Sequence, residues 1–265
     1  MSDFLARMLA VKAQEVRALH ARPDVAELRA QALAMAPGRD FLAALRARPG
    51  AAIIAEVKKA SPSLGDINPA ADPAAQARLY AAGGAAACSV LCDASYFKGS
   101  LADLAAVRAA VDLPLLAKDF HIDELQLAAA RLAGADAALL IAAALSPQRL
   151  AALYAEALAL GLTPLVEVHA AEELPAALAL DPPLIGVNNR NLDTLKVDVQ
   201  TAARLRPMIP AHVLTVAESG VSGPADVARL RAAGLDAFLV GGALMAAADP
   251  LAACAALRQA AEAAR

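Results

Sequence analysis

Eight short apolar runs alternate with amphipathic stretches along most of the chain. The runs begin near Ala51, Ala85, Leu115, Ala137, Thr163, Leu184, Val213 and Ala237. The stretches that follow them have apolar residues at helical spacing, and several open with Asp, Ser or Pro, which favour helix starts. These stretches cover residues 72–82, 100–110, 123–133, 147–160, 170–180, 198–207, 224–233 and 249–264. Strands that alternate with helices predict an α/β fold with a parallel sheet.

Eight strand–helix units fit a closed barrel, and an open doubly wound sheet is the alternative. The length of 265 residues suits one barrel, which commonly takes about 250. Before the first run, Asp3, Pro23 and Asp40 each precede a helical pattern. No linker rich in Gly or Ser divides the chain. We therefore predict one domain over residues 1–265, a (β/α)8 TIM barrel with residues 1–48 as a helical extension packed on it.

Charge and hydropathy exclude several classes of partner. The net charge of −3 gives no basic footprint for nucleic acid. Charge-free stretches such as residues 79–92, the longest, and 137–148 are shorter than the roughly 18 residues of a membrane span. The first twenty residues carry five charges and lack the apolar core of a signal peptide. We expect a cytoplasmic monomer that acts on a small molecule.

The three cysteines, Cys88, Cys92 and Cys254, are odd in number. Buried thiols in a reducing compartment are the expected interpretation, because no histidine lies at metal-ligand spacing from them. No metal site is predicted.

Polar side chains close or interrupt many of the apolar runs, as reactive groups do at the carboxyl ends of barrel strands. Glu56 and Lys58 lie two apart, so they should point together into the barrel if Ala55 and Val57 meet the helices. A carboxylate beside an ammonium makes an acid–base pair. A structural ion pair at the barrel mouth is the alternative.

Lys118 ends the third run, where burial should lower its pKa toward that of a general acid. A solvated lysine paired with Asp119 is the alternative. Glu167 lies inside an apolar run and needs a partner or a chemical task. His169 is expected to face the helices as a helix-start or loop residue and not to serve as a base.

The loops after the runs carry candidate binding groups. Ser61 could bind an anion or could simply stabilise a turn, and Asn188 could orient a hydroxyl or stabilise a turn. Ser219 and Gly220 follow the seventh run, and Gly241 and Gly242 follow the eighth. In many barrels these two loops form a phosphate site, where glycines let backbone N–H groups approach the anion. No Walker A or dinucleotide fingerprint occurs.

Together these segments resemble the indole-3-glycerol phosphate synthase family of tryptophan biosynthesis. The matching stretches occur in order between about residues 52 and 246: IIAEVKKASPS, SVLCDASYFKGS, PLLAKDF, GADAALLI, PLVEVH, IGVNNRNLDTLKVD and VAESGVSGPADVARLRAAGLDAFLVGGALM. The family also carries an N-terminal helical extension.

The resemblance implies a carboxy-lyase that needs no cofactor. Its substrate would be 1-(2-carboxyphenylamino)-1-deoxyribulose 5-phosphate, a sugar phosphate with an anthranilate ring, which closes with loss of CO2 and water. By motif, Lys118 would protonate the ribulose carbonyl, and Lys58 would serve in acid–base chemistry and contact the anthranilate carboxylate. The other implied catalytic residues are Glu56, Glu167, Asn188 and Ser219. The implied binding residues are Ser61, Phe97, Phe120, Arg190, Gly220, Gly241 and Gly242, of which Phe97 and Phe120 would wall the ring unless they only pack in the core.

Three positions depart from the family pattern. Leu64 stands where lysine is common, Cys92 replaces a common threonine, and Gly242 replaces a frequent serine, so phosphate binding could be weaker. Two rival functions share the fold. Phosphoribosylanthranilate isomerase, or another sugar-phosphate isomerase, would not require the Glu56/Lys58 pair together with Lys118 and Glu167. A non-catalytic phospholigand-binding barrel would keep the glycine loops and lose the acid–base groups.

Overall fold

The computed structural model describes residues 3–263. Within that range eight parallel strands close into a barrel, in which each strand pairs with the next and the eighth returns to the first. They are β1 (Ala52–Val57), β2 (Ala87–Leu91), β3 (Leu115–Lys118), β4 (Ala137–Ile141), β5 (Thr163–Val168), β6 (Leu184–Asn188), β7 (Leu214–Glu218) and β8 (Ala237–Val240). The predicted (β/α)8 barrel is thus confirmed, and the open sheet is wrong.

Helices precede the barrel and connect its strands. The N-terminal ones are α1 (Asp3–His20), α2 (Val25–Leu33) and α3 (Phe41–Arg46). The others are α4 (Pro73–Ala82), α5 (Ala94–Phe97), α6 (Leu101–Ala110), α7 (Glu124–Leu132), α8 (Pro147–Ala159), α9 (Leu174–Leu178), α10 (Thr201–Leu205), α11 (Pro224–Ala232), α12 (Gly242–Met245) and α13 (Pro250–Glu262). Many begin where a side-chain oxygen accepts from the first-turn N–H groups, as at Asp72, Ser100 and Asp123.

Side chains alternate along each strand between the barrel interior and the surrounding helices. In β1, Ile54 belongs to the interior cluster, whereas Ala55 and Val57 pack with the outer cluster beneath the helices. Glu56 therefore faces inward, as the spacing predicts, and it lies in register with Ser89 of β2. The strand ends consequently present their polar side chains toward one axis.

The N-terminal extension contacts the barrel at several places. In α3, Phe41 and Leu45 are buried in the same cluster as the interior side chain Ile54, and α3 packs against β1 and β2. α2 packs along α7, and α1 contributes Leu5 to the interior cluster. Burial of these apolar side chains holds the extension against the barrel.

Several predicted elements differ in detail from the structure. The helix expected over 170–180 is a 3₁₀ turn followed by α9, and the one expected over 198–207 is α10 followed by a 3₁₀ turn. Pro175 and Pro207 lack the N–H that a continuous helix needs at those positions. The predicted end of the last helix, Ala264, lies outside the described residues. A short hairpin, in which the two-residue strand Ala60–Ser61 pairs with Gly65–Asp66, was not predicted.

Cys88, Cys92 and Cys254 are free and buried, as expected. No helix among residues 3–263 has the length and apolarity required to cross a membrane.

Candidate active site

A cavity of about 420 Å³ opens at the carboxyl ends of the strands. Its volume lies in the range of roughly 300–1,000 Å³ typical of small-molecule sites. All the residues predicted to act in catalysis or binding line it: Glu56, Lys58, Ser61, Phe97, Lys118, Phe120, Glu167, Asn188, Arg190, Ser219, Gly220, Gly241 and Gly242. Side chains from distant parts of the chain therefore converge on one site.

Glu56 and Lys58 form an ion pair on the β1 side of the cavity. Lys58 Nζ donates to Glu56 Oε1 at 2.6 Å. The carboxylate is buried, whereas the ammonium group retains some exposure toward the cavity. The pair can therefore orient a charged group at its open side.

Lys118 forms a second charged cluster with carboxylates from two other strands. Its Nζ donates to Glu167 Oε2 at 2.9 Å and to Glu218 Oε2 at 2.6 Å. Both carboxylates are buried, and the lysine is nearly so. The alternative of a solvated lysine paired with Asp119 is wrong, because Asp119 binds Lys12 of α1 instead.

This cluster shifts the pKa values of its members in different directions. Burial lowers the pKa of Lys118, but the charges of Glu167 and Glu218 outweigh it and hold the pKa above its ordinary value. The expected lowering of that pKa is therefore wrong. Burial and the charge of Glu167 raise the pKa of Glu218 to about 8, against the lowering by Lys118. Glu167 is also desolvated, but Lys118 and His169 hold its pKa well below the ordinary value. The opposite directions of these two shifts favour a proton on Glu218 and an ionised Glu167.

His169 faces the catalytic cluster and not the helices, which corrects the expectation from the sequence. It lies two residues after Glu167, so alternation places both side chains on the same side. Its Nε2 is 3.1 Å from Glu167 Oε1, and its Nδ1 is 3.4 Å from Glu173 Oε2. Burial lowers the pKa of His169, but these two carboxylates raise it to about 9. The protonated ring supports the ionised form of Glu167.

The raised pKa of His169 gives a testable dependence of stability on pH. A histidine whose pKa rises from 6.5 to about 9 on folding stabilises the fold fully below its unfolded pKa and loses that contribution as pH rises through about 9. We expect His169→Gln to lower the free energy of unfolding by about 3 kcal/mol near pH 6 and by much less near pH 9.5. Chemical denaturation at both pH values measures this, with the exposed His212→Gln as the control. An equal loss at both pH values would assign the effect to packing.

The segment after β6 combines cavity lining with structural hydrogen bonds. Asn188 Oδ1 accepts from the backbone N–H of Arg190 at 3.0 Å, so Asn188 both stabilises the turn and lines the cavity. The half-buried Arg190 donates through Nη1 to the carbonyl of Leu195 at 2.7 Å. Burial lowers the pKa of this arginine. The hydrogen bond to Leu195 fixes the guanidinium of Arg190 at the cavity wall.

Asn189 ties this segment to the loop that carries Glu218. Its Nδ2 donates to the carbonyl of Ser219 at 3.0 Å, and its backbone N–H donates to the carbonyl of Glu218 at 2.9 Å. The side chain is buried, so its two hydrogen-bonding groups are held in place. Nothing in the sequence pattern indicates this role of Asn189, because its partners Glu218 and Ser219 follow much later in the chain.

The candidate phosphate rim lies on the loops after β7 and β8. Ser219 and Gly220 both have left-handed backbone, with φ of 62° and 80°, which turns the chain sharply at the cavity. Gly241 precedes α12, whose first N–H groups have no acceptor within the helix and could serve an anion. Ser61 Oγ accepts from the N–H of Leu64 at 3.2 Å, so it stabilises its own turn beside this rim.

Leu64 contributes an apolar side chain to this rim. It is 63% exposed, and its Cδ1 would lie 3.6 Å from a Cβ at Gly242. This chain thus places a methyl group beside Gly242, on the segment where the family pattern often has a lysine.

Gly241 leaves the space that the Glu56–Lys58 pair occupies. A Cβ there would lie 2.2 Å from Glu56 Oε1 and 3.0 Å from Lys58 Nζ, although its φ of −118° suits alanine. We expect Gly241→Ala to displace the carboxylate and to lower kcat/KM at least about tenfold, since small misplacements of catalytic groups are costly. Steady-state kinetics measures the effect. Gly223→Ala, where a Cβ meets open space, is the matched control, and equal activity of both variants would contradict the assigned geometry.

The remaining wall of the cavity is apolar and comes partly from the extension. Phe97 follows β2, Phe120 follows β3, and Phe4 belongs to α1. Leu139 and Ile141 of β4 line the cavity deeper in the barrel. The cavity therefore has charged groups at one part of its surface and aromatic and aliphatic groups at another, as a ligand with a ring and anionic groups requires.

No set of three or more His, Cys, Asp or Glu side chains in residues 3–263 is arranged to hold a metal ion. The groups described above are instead an ammonium paired with two carboxylates, a second ammonium–carboxylate pair and glycine-rich loops. Such groups can transfer protons and bind an anion.

Glu218 lines the cavity and binds Lys118, although the sequence pattern points only to its neighbour Ser219. A Cβ at Gly186 of β6 would lie 2.2 Å from Glu218 Oε1, so that glycine makes room for the carboxylate. A glycine within a strand was the available signal for this close approach.

The fold and the site together define a TIM-barrel enzyme of the kind that performs acid–base chemistry on a phosphorylated substrate. The family model for indole-3-glycerol phosphate synthase matches residues 5–257. The chain therefore belongs to the indole-3-glycerol phosphate synthase family.

Relatives of the same description are similar along nearly their whole length. The indole-3-glycerol phosphate synthase of Laribacter hongkongensis is 50% identical over 259 residues, which are 96% of this chain and 98% of that protein. The one of Chromobacterium violaceum is 50% identical over 253 residues, covering 94% and 96%. Among solved structures, a 3-hexulose-6-phosphate synthase has a TM-score of 0.60 at 21% identity, covering 79% of this chain and 99% of that one. That last similarity supports the fold alone.

Proposed function

We propose that this chain forms indole-3-glycerol phosphate in tryptophan biosynthesis, as a carboxy-lyase acting on 1-(2-carboxyphenylamino)-1-deoxyribulose 5-phosphate. The observation that carries the proposal is the convergence of the Glu56–Lys58 pair and the Lys118–Glu167–Glu218 cluster on one cavity. The near-complete match to enzymes of that name supports the same assignment.

The first step needs an acid at the ribulose carbonyl. The aromatic carbon that bears the carboxylate attacks this carbonyl carbon, a C–C bond forms, and the carbonyl oxygen takes a proton. We assign that proton to Lys118, whose Nζ is fixed by two carboxylates at 2.9 and 2.6 Å. Its raised pKa does not prevent the transfer, because the alkoxide that forms is a stronger base than the amine.

The next step is loss of CO2. The bond between the ring and the carboxylate breaks, and its electron pair restores the aromatic ring. Lys58 is the group proposed to hold that carboxylate until it leaves, because it carries a partly exposed ammonium beside Glu56. The carboxylates of Glu56 and Glu167 would stabilise the positive charge that develops on the ring and nitrogen.

The last step removes water. The new hydroxyl leaves with a proton from an acid, and a base takes a proton from the neighbouring carbon to form the double bond of the indole. Glu218 suits the acid, since its pKa of about 8 keeps it protonated at neutral pH. Glu167 is assigned as the base, because its lowered pKa keeps the carboxylate ionised and able to accept a proton. Asn188 and Ser219 are proposed to orient the substrate.

The binding groups follow from the same cavity. We assign the phosphate to Ser61, Gly220, Gly241 and Gly242 with Arg190 nearby. We assign the aromatic ring to the wall that contains Phe97 and Phe120. The chain is further proposed to act as a cytoplasmic monomer without a cofactor, as one barrel domain with residues 1–48 as its extension.

The test is an assay of the purified chain with the carboxyphenylamino substrate and, separately, with phosphoribosylanthranilate. The proposal expects indole absorbance and CO2 in equal amounts from the first substrate and no turnover of the second. Isomerisation of phosphoribosylanthranilate without CO2 would favour the rival isomerase. Binding of the first substrate without turnover would favour a non-catalytic barrel.

A further inference from the structure

Lys12 is fully buried although it belongs to the N-terminal extension. It lies in α1 with 0% exposure, among the largest fully buried side chains of the described residues. A buried lysine requires compensating charge, since an isolated ammonium is costly to remove from water. Lys12 has three carboxylate partners, which is more than neutralisation needs.

The three partners come from three segments. Lys12 Nζ lies 2.8 Å from Glu15 Oε2 in its own helix, 2.8 Å from Asp93 Oδ2 after β2 and 2.7 Å from Asp119 Oδ1 after β3. Asp93 is fully buried and Asp119 is partly so. One ammonium group therefore joins the extension to two loops at the carboxyl end of the barrel.

The same two aspartates fix the backbone that carries the apolar wall. Asp93 Oδ1 accepts from the N–H groups of Tyr96 and Phe97 at 2.7 and 3.2 Å. Asp119 Oδ1 accepts from the N–H of Phe120 at 2.8 Å. Each aspartate thus uses its carboxylate both for Lys12 and for the backbone of an aromatic residue in the cavity wall.

A second contact connects α1 with the same wall. Phe4, two turns before Lys12, lines the cavity, and its ring packs edge-on against Tyr96 with centroids 5.7 Å apart. Burial lowers the pKa of Lys12. The charge of Asp119 and the hydrogen bonds with Asp119, Asp93 and Glu15 outweigh this effect, so the net pKa lies above the ordinary value and the ammonium stays charged.

We propose that Lys12 is a positioning residue of the active site, which holds the loops after β2 and β3 in the arrangement that binds the aromatic ring of the substrate. The extension is then part of the binding site. This inference rests on the proposed function, because it concerns the ring of that substrate. It predicts an effect on substrate binding that exceeds any effect on the chemical step.

The test compares kcat and KM of Lys12→Met with those of the parent chain, well below the unfolding temperature. We expect KM to rise at least about tenfold and kcat to change by less than about threefold, because the proton-transfer groups are untouched. Leu28→Ala is the matched control. Leu28 is a buried residue of α2 that does not line the cavity, so its loss should lower stability and leave KM unchanged.

A double variant separates positioning from charge balance. In Lys12→Gln/Asp93→Asn both charges are gone, and asparagine still accepts from the backbone at the start of α5. This variant keeps the test valid if Lys12→Met does not fold. We expect its KM to remain raised. The proposal would be overturned if the double variant had the same KM as the parent chain. It would also be overturned if KM rose as much in Leu28→Ala as in Lys12→Met. If the parent chain itself forms no indole, the proposed function has failed, which is a distinct result.

Discussion

Replacing Lys118 by alanine is expected to lower turnover by about 10²–10⁴-fold while the barrel remains folded. The ammonium is the group placed to protonate the substrate carbonyl, and its Nζ is held by Glu167 and Glu218. Folding should persist because the pKa of Glu218 is already raised, so this carboxyl group can keep its proton when the lysine charge is lost. Indole absorbance measures kcat, and circular dichroism with thermal unfolding measures the fold.

Lys118→Arg separates proton transfer from charge. Arginine keeps a positive charge beside Glu167 and Glu218 but holds its proton at every accessible pH. We expect its turnover to fall by a similar factor. Near-normal turnover in the folded arginine variant would show that the residue acts only through its charge, and near-normal turnover in the alanine variant would show that it has no catalytic task.

Glu218→Gln is expected to lower kcat about 10²–10³-fold and to remove a step from the pH profile. In the parent chain Glu218 has a pKa of about 8, and the proposed mechanism needs its protonated form. Activity of the parent should therefore fall as pH rises through about 8. Glutamine resembles the protonated acid in shape but cannot release a proton to the leaving hydroxyl.

The same variant has a predicted effect on stability. A carboxyl group whose pKa rises from 4.5 to about 8 on folding binds a proton in the folded chain that the unfolded chain has lost. The free energy of unfolding should therefore fall as pH rises from about 4.5 to about 8, and Glu218→Gln should remove that part of the slope. A decline of activity through pH 8 that persists in Glu218→Gln would assign the alkaline step to another group.

The architecture follows from local patterns that the sequence displays directly. Apolar runs closed by Lys118 or interrupted by Glu167 became strand ends at the cavity, and the spacing of Glu56 and Lys58 placed both toward the interior. Alternation along a strand is a short-range property, so residue spacing suffices to predict it. His169 obeys the same alternation, since it lies two residues after Glu167 and contacts its carboxylate.

Properties that depend on distant partners could not be predicted in this way. The sign of the pKa shift of Lys118 depends on Glu167 and Glu218, which follow it by 49 and 100 positions. Burial alone predicted a lowered pKa, but the two carboxylates reverse the shift. Lys12 is the clearest case. Nothing in its helix indicates burial beside Asp93 and Asp119, because both aspartates reach it only after the barrel has closed.

One cavity at the carboxyl ends of the strands is expected to bind the phosphate at its rim and to carry out the acid–base chemistry beside Lys118 and Glu167. The most direct test is a crystal structure of the chain with bound indole-3-glycerol phosphate. We expect the phosphate within about 3 Å of the backbone N–H groups of Gly220 and Gly242, and the indole ring against Phe97 and Phe120. A phosphate bound beside Lys118 and Glu167, or a product bound outside this cavity, would contradict it.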